Sequence, residues 1–318
     1  MYADLSKIEH NYRITEFPLN VAIEVTNNCN LNCTMCQNDQ LTRKRGYMSM
    51  TLYKRIIDEV AKENKGTRIW LDFYGEPLLA GWKLYYMIDY AKKKGLTNVC
   101  INTNGTLMNK EYADMLLDAG VDFISLDCDG YSKKVYESIR VNGNRDIFYA
   151  NVEYLLEEKK RRNSGVVIDV KVIEMDENRD EIPQIVKHWS ARGAWTAVRR
   201  CADWVFEKNP AGEPVQNDNR IACGHLIGTL VVTWNGEVAQ CAWDANASNI
   251  IGDVNKETIK TIWGRHNREL CSVHMNHEWD KLNHLCKNCA DWKYVGEERY
   301  DEQGNKIEKN YDSQKKML

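Results

Sequence analysis

The sequence predicts an α/β fold, a parallel sheet built from βα units and followed by a smaller second unit, and three observations predict it. Strand-like runs alternate with helical stretches from about residue 20 to residue 200, the pattern that a wound parallel sheet requires. At 318 residues and 43% hydrophobic content the chain can bury one large core plus an appendage. After Arg200 the alternation stops: Pro and Gly cluster in the segment Asn209 to Pro214, and cysteine-bearing segments take over, which marks a domain boundary.

Taken in order, strands are expected over Val21 to Thr26, Arg68 to Phe73, Asn98 to Asn102, Phe123 to Asp127, Val166 to Ile173 and Trp195 to Arg199. Between them apolar residues recur at helical spacing: Leu52, Ile56 and Val60 in the first helix, and Tyr112, Met115, Leu116 and Ala119 in the third, which Gly120 should end. These units occupy residues 20–200, behind a short lead, 1–19. Past a connector, 201–222, the second unit spans 223–295. There Ile227 to Thr233, Asn235-Gly236 and Glu237 to Cys241 read as a β-hairpin with a tight Asn-Gly turn, and Thr258 to Arg268 as an amphipathic helix. The last segment, 296–318, is rich in Glu, Lys, Asp and Asn with little periodic apolar content, and is expected to be solvated or loosely packed.

Cys29, Cys33 and Cys36 directly follow the first strand at C-x3-C-x2-C spacing. Thiolates at that spacing hold three corners of a cubane iron-sulfur cluster, and with no fourth cysteine nearby the last iron must take a ligand from outside the protein. A zinc knuckle is the competing reading, but structural zinc takes four ligands, usually in tighter pairs. A second set is dispersed: Cys223 ahead of the hairpin, Cys241 at its close, then Cys286 and Cys289 as C-x2-C. These four can converge on one metal centre, an iron-sulfur cluster or, on spacing alone, zinc. Cys100, Cys128 and Cys271 lack partner spacing and read as buried thiols. His274 and His277 read as structural.

The run CNLNCTMC, Cys29 to Cys36, with FYGEPLL, Phe73 to Leu79, downstream of it, resembles the radical S-adenosylmethionine (SAM) enzymes. The resemblance implies that the βα units form an open, partial (β/α)6 barrel whose mouth accepts substrate. It also implies that the amino and carboxylate groups of SAM chelate the open iron. An electron from a flavodoxin- or ferredoxin-type donor then cleaves SAM to methionine and a 5'-deoxyadenosyl radical. Ligands of parallel α/β sheets sit at the carboxyl ends of the strands. Gly75, Glu76 and Pro77 follow the second strand, Asn102 and Asn104 end the third, and Ser125, Asp127 and Asp129 end the fourth. In the family the first group meets the amino group of SAM through backbone carbonyls, and the fourth-strand side chains meet its ribose and carboxylate. The Asn102 to Gly105 stretch also reads as a plain turn, since Asn-Gly favours positive φ. The second half resembles the SPASM/twitch extension in its short form, which implies one auxiliary cluster on Cys223, Cys241, Cys286 and Cys289, and two 4Fe-4S clusters in all.

Two clusters point to oxidation. Hydrogen-atom abstraction from a carbon bearing a hydroxyl leaves a radical that becomes a strong reductant once the hydroxyl proton departs, and a fully thiolate-ligated cluster nearby can take the electron. The single glycine of FYGEPLL, the wide hairpin cysteine pair and LCKNC resemble the aminocyclitol (2-deoxy-scyllo-inosamine type) dehydrogenases over residues 20–292, implying a carbohydrate or aminocyclitol substrate. Those dehydrogenases place a substrate-contacting arginine where Arg199 and Arg200 end the sixth strand. Arg200 is the candidate for orienting the substrate oxygen, against the plainer reading of a solvated strand-end pair. Cys201 opens a second path, because a thiol that returns a hydrogen atom to the substrate radical makes an epimerase; a buried neutral thiol is the alternative. Ribosomal-peptide maturation is a third path. Its enzymes often carry an N-terminal leader-binding domain, for which about twenty residues before the first strand are too few.

Other classes fit poorly. A net charge of -3 without a basic face argues against nucleic acid. Residues 1–17 hold no signal-peptide core, and no run reaches membrane-spanning length, so a cytoplasmic enzyme without a membrane partner is expected. Trp204, Trp234, Trp243 and Trp292 gather in the second unit, as a sugar-stacking wall or as packing in a small domain.

Overall fold

The computed structural model describes residues 9–201, 219–294 and 297–307. β1 (Asn20–Ile23), β2 (Arg68–Trp70), β3 (Val99–Thr103), β4 (Phe123–Asp127), β5 (Val167–Glu174) and β6 (Trp195–Arg200) pair in parallel, each with the next. The chain crosses between them through α1 (Met50–Glu63), α2 (Trp82–Lys93), α3 (Lys110–Ala119), α4 (Lys133–Ile139), α5 (Arg145–Arg161) and α6 (Ile182–Ser190). Crossovers of one hand between successive neighbours put all helices on one face of the sheet. The core shows this: Tyr53, Ile57, Val60, Met87, Leu116, Phe148, Val152 and Trp189 from the helices pack with Val21, Ile23, Ile69, Ile101, Ile124, Leu126, Ile168 and Val170 from the strands. Side chains alternate along a strand, so Asn102, Ser125, Asp127, Asp169 and Lys171 point to the opposite, concave face. The result is the expected open barrel.

Capping explains where the helices begin. The side chains of Ser49, Asn109, Ser132 and Asn144 accept from the backbone of Leu52, Tyr112, Val135 and Ile147, each satisfying an amide that the first turn leaves free. Gly120 ends α3 at φ 76, the left-handed geometry that suits glycine. The first strand leaves the ladder at Ile23 rather than Thr26 because the chain from residue 42 folds back onto it: Met48 N donates to Val25 O at 2.9 Å, and Thr26 bridges Tyr47.

The barrel sheet continues past both edges. β7 (Thr229–Val232) adds in parallel to β1, and β8 (Glu237–Ala239) and β9 (Ile250–Asp253) follow it antiparallel. The second unit is therefore an extension of the same sheet. The hairpin turn is looser than expected. Thr233 pairs with Glu237 across a three-residue loop, Gly236 N donates to Thr233 O, and Gly236 sits at φ 98, so glycine closes a three-residue turn. Ile227 and Gly228, taken as the start of the first hairpin strand, instead close a helical turn after Cys223 (Gly224–Gly228). The predicted helix over Thr258 to Arg268 is present as Ile259–His266, capped by Thr258.

The expectation of a solvated tail does not hold for residues 298–307. β10 (Glu298–Tyr300) pairs antiparallel with β6, and β11 (Lys306–Ile307) pairs with β10. A three-residue strand held by backbone bonds to β6 and β11 needs little apolar alternation, which is why its sequence shows no strand pattern. Residues 202–218, with most of the connector and Trp204, and 308–318 lie outside the described residues.

Candidate functional site

The three-cysteine loop is held from several sides before any ligand is considered. Asn32 N and Thr34 N donate to Val141 O and Ile139 O, both at 3.0 Å. Asn38 donates to Asn27 O at 3.0 Å and Tyr74 O at 2.8 Å, and Arg45 ties Asn27 and Asn38 together from outside. Inside the loop, Arg140 is buried: its Nε meets Asp129 at 2.6 Å, its Nη1 lies 3.5 Å from Asp127, and Nη1 reaches Cys33 Sγ at 3.6 Å. Burial opposes the charge of Arg140, but Asp129, Cys33 and Asp127 outweigh it and hold it protonated. Burial also pushes the thiols up, Cys29 to about 11 and Cys36 to about 12. Iron must displace those protons to bind, and Arg140 offsets the negative charge that results.

The ends of β2, β3 and β4 are knitted to this loop. A Cβ on Gly75 would lie 2.1 Å from Thr26 O and 2.9 Å from Asn28 O, so only glycine lets the two strand-end loops touch, and Glu76 N then donates to Asn28 O at 2.8 Å. Gly75→Ala is expected to lower stability by about 1–3 kcal/mol through this overpacking, read as a lower urea midpoint; an unchanged midpoint would show that the loops can part. Glu76 is buried, and its carboxylate accepts from Leu78 N, Thr103 Oγ1 and Asn104 N at 2.7–3.0 Å. Burial outweighs those three donors and pushes Glu76 up to about 7. Pro77 starts the short helical turn that Glu76 caps. The Asn104 side chain is likewise occupied, donating to Asn30 Oδ1 and accepting from Thr106 N, with Gly105 at φ 70. The turn reading of that stretch is therefore correct for Asn104, and the same turn also ties it to the cysteine loop.

Asn102 and Ser125 differ. Asn102 Nδ2 donates to Asp127 Oδ2 at 3.1 Å, but Asn102 Oδ1 and Ser125 Oγ are buried with no hydrogen-bond partner among the described residues. Unpaired buried polar atoms cost about 1–3 kcal/mol each, so these positions suit a ligand rich in hydroxyls, such as the ribose of SAM. The strand register extends the row to a residue that the motifs did not flag: Asn102 lies beside Ser125, and Ser125 beside Asp169 on β5. Asp169 is 0% exposed, neither carboxylate oxygen has a hydrogen-bond partner among the described residues, and Arg299 Nη1 lies 3.8 Å away. One step along β5, Lys171 pairs in register with Asp127. Burial pushes Asp169 up to about 6 and Asp72 to about 7, with Lys171 opposing both. Glu297 stays at about 2, because Lys171 and Arg299 outweigh its burial. The signal was visible in VIDVKVIE, Val167 to Glu174, where polar residues recur with period two inside an apolar strand.

At the barrel mouth, Arg199 donates to Asp291 at 3.0 Å and its guanidinium lies 5.1 Å from the Trp243 ring; His225 Nε2 is 3.5 Å from the same Asp291. Arg200 ends β6, and its side chain lies outside what the structure describes. Cys201 follows, exposed, with its N–H donating to Glu174 O at 3.1 Å. Arg199, Asp291 and Trp243 thus join the concave face to a second cavity lined by Cys223, Cys241, Cys286 and Cys289 together with His274 and Trp292.

That cavity gathers the four dispersed cysteines from three separate segments. Asn283 caps a short helix (His284–Asn288) by accepting from Cys286 N. Gln240 Nε2 donates to Cys286 Sγ at 3.1 Å, and Asp291 N to Cys289 Sγ at 3.4 Å. Burial raises all four thiols, Cys289 to about 11 and Cys286 to about 12. Among the described residues no three His, Cys, Asp or Glu side chains converge tightly enough for a single metal ion. A tetrahedral zinc at about 2.3 Å from each sulfur requires such convergence, whereas a four-iron cube holds its thiolates at its corners. Both cysteine sets supply thiolate donors of the kind that such a cube takes. Cys100, Cys128 and Cys271 are buried thiols as expected, and no disulfide links any of the eleven cysteines. His277 is paired with Glu9 and stacked on Trp279. Trp234 packs over Gly46 and Trp292 in the core around Cys241. No helix among the described residues is long and apolar enough to cross a membrane.

Comparison with known proteins agrees with this geometry. The radical SAM superfamily profile matches residues 23–188, and that of an iron-sulfur cluster-binding domain, SPASM, matches 223–290. The S-adenosyl-L-methionine-dependent 2-deoxy-scyllo-inosamine dehydrogenase of Niallia circulans is 25% identical over 288 residues, 88% of this chain and 96% of that protein. Among solved structures, BtrN in complex with AdoMet and 2-DOIA superposes with TM-score 0.60 at 18% identity over 85% of this chain and 92% of its own. Streptococcus suis SuiB bound to precursor peptide SuiA gives 0.65 at 13% identity over 91% and 73%, a likeness of fold. With a match over more than half its length, the chain belongs to the radical SAM superfamily and carries a C-terminal iron-sulfur cluster-binding domain.

Proposed function

We propose that this enzyme oxidises a secondary alcohol of a carbohydrate or aminocyclitol to a ketone, with one SAM-binding 4Fe-4S cluster and one auxiliary 4Fe-4S cluster. The observation that carries the reading is the pair Asp169 and Lys171 on the concave face, beside the side chains assigned to SAM, which offers hydrogen-bonding groups of both charges where a peptide side chain would more often meet apolar surface. When bound, the groups supply a hydrogen-abstracting 5'-deoxyadenosyl radical at the first site and an electron acceptor at the second. Cys29, Cys33 and Cys36 hold the first; Cys223, Cys241, Cys286 and Cys289 hold the second. The backbone at Gly75, Glu76 and Pro77 faces the amino group of SAM, with Glu76 and Asn104 bracing it from behind, and Asn102, Ser125 and Asp127 face its ribose.

Oxidation of a carbinol removes a hydrogen atom from carbon, a proton from oxygen and one electron. Asp72, raised to about 7 beside Lys171, is the group assigned to receive the proton. Lys171 and the arginine pair at the end of β6, Arg199 and Arg200, orient the oxygen. The relative of 25% identity, aligned along 96% of its length, carries a dehydrogenase name, which supports the same choice of substrate class. A flavodoxin- or ferredoxin-type protein is the proposed electron donor, and the cytoplasm the proposed compartment.

The exposed thiol of Cys201 at the carboxyl end of β6 favours one other reading, epimerisation. Anaerobic turnover in heavy water separates them. Dehydrogenation predicts a product two hydrogens lighter, one 5'-deoxyadenosine per product, and no deuterium at carbon. A mass-neutral product carrying deuterium, lost in Cys201→Ala, would replace the dehydrogenase with an epimerase, and turnover only with peptides would replace both.

A further inference from the structure

We propose that His274 donates a hydrogen bond to the sulfur atoms of the auxiliary cluster and thereby sets its reduction potential, a reading that rests on the cluster assignment above. His274 is 1% exposed, and neither Nδ1 nor Nε2 has a hydrogen-bond partner among the described residues. Its neighbours do not share this condition. His266 Nε2 lies 3.1 Å from Leu226 O, and His277 pairs with Glu9 at the surface. The imidazole of His274 lines the same cavity as Cys223, Cys241, Cys286 and Cys289, with its edge against Trp279 at a centroid distance of 6.0 Å.

A buried imidazole with both nitrogens unpaired is costly, so its partner belongs in that cavity. The acceptors that a four-iron cube brings there are sulfide and thiolate sulfur. A neutral imidazole has one N–H to donate, which adds to the bond that Gln240 already gives Cys286. The backbone is shaped for this. A π turn, Asn267–Cys271, interrupts the helix just before the short segment Ser272–Met275 that carries His274, and such insertions re-aim the residues that follow them. Hydrogen bonds to cluster sulfur stabilise the more negative, reduced state and raise the potential. A raised potential suits a cluster that must accept an electron from a substrate radical.

The test uses the full chain with Cys29, Cys33 and Cys36 changed to alanine, so that only the auxiliary cluster is read. In this background His274→Leu is expected to weaken reduction at least tenfold, about 59 mV lower for a one-electron couple, by spectroelectrochemistry. His274→Gln, which keeps an N–H donor, is expected to stay within that tenfold. In parallel, protein labelled with 15N-histidine should show a histidine nitrogen coupling in pulsed EPR of the reduced cluster, absent from His274→Gln. An unchanged potential in iron-loaded His274→Leu overturns the proposal, as does a coupling that is missing from the parent or persists in His274→Gln. If His274→Leu fails to take up iron, the labelling result decides alone. Zinc in place of iron in the parent removes the cluster assignment and the proposal together.

Discussion

Changing Cys29, Cys33 and Cys36 together to alanine is expected to abolish release of 5'-deoxyadenosine from SAM while leaving about four irons bound per chain. The three thiols share one loop that is pinned to residues 139–141 and to Asn38, whereas Cys286 and Cys289 are held by a different set, Gln240, Asn283 and Asp291. The two sites should therefore load independently. The substitutions remove three small side chains of intermediate burial or less and leave the Asn27, Asn38 and Arg45 network intact, so the fold should survive. Iron and sulfide assays with mass spectrometry of the nucleoside product check both halves of the expectation. A chain that loses all its iron would show that the second cysteine set forms no site of its own.

Arg140→Met is expected to lower the stability of the metal-free chain by about 3–5 kcal/mol, because it strands buried carboxylates whose partner is gone. Asp129 is fully buried, bonded to Arg140 Nε and to Ile173 N at 2.6 and 2.7 Å, and Asp127 lies within 3.5 Å of the same guanidinium. A loss of that size is a large share of the usual 5–15 kcal/mol, so Arg140→Met is also expected to be protease-sensitive. Arg140→Lys keeps the charge but not the fork that serves Asp129, Asp127 and Cys33 at once, and should fall between. Urea unfolding of the three metal-free proteins gives the order. A loss under about 1 kcal/mol for Arg140→Met would mean that water repairs the gap.

What the sequence made legible follows from how each element is stabilised. Strands covered by helices carry apolar runs, so β4 was located to the residue and β5 to within one. Metal sites advertise themselves through spacing when the ligands share a loop, as Cys29, Cys33 and Cys36 do. Cys223 and Cys241 were traceable only beside a hairpin, and the structure adds that a helical turn and a third strand, β9, frame them. β10 escaped because so short a strand is held by backbone bonds to β6 and β11, which no side-chain pattern records. Asp169 and Lys171 stood out only as a period-two polar pattern within β5; their place beside Ser125 and Asp127 lies in register with β4, which that pattern does not give. Nothing near His274 in the sequence reveals that its ring faces four cysteines, the nearest of which in the chain is Cys286. Among the described side chains, Arg199 is tied to Asp291, a contact that its place at the end of a strand did not announce.

The central claim is that one chain carries an open thiolate site for SAM and a separate closed one. EPR of the anaerobically reconstituted, dithionite-reduced protein, recorded with and without SAM beside metal analysis, tests it most directly. The account predicts about eight irons per chain and two signals, only one of which shifts when SAM is added. Zinc at either site, or two signals that both ignore SAM, would contradict it.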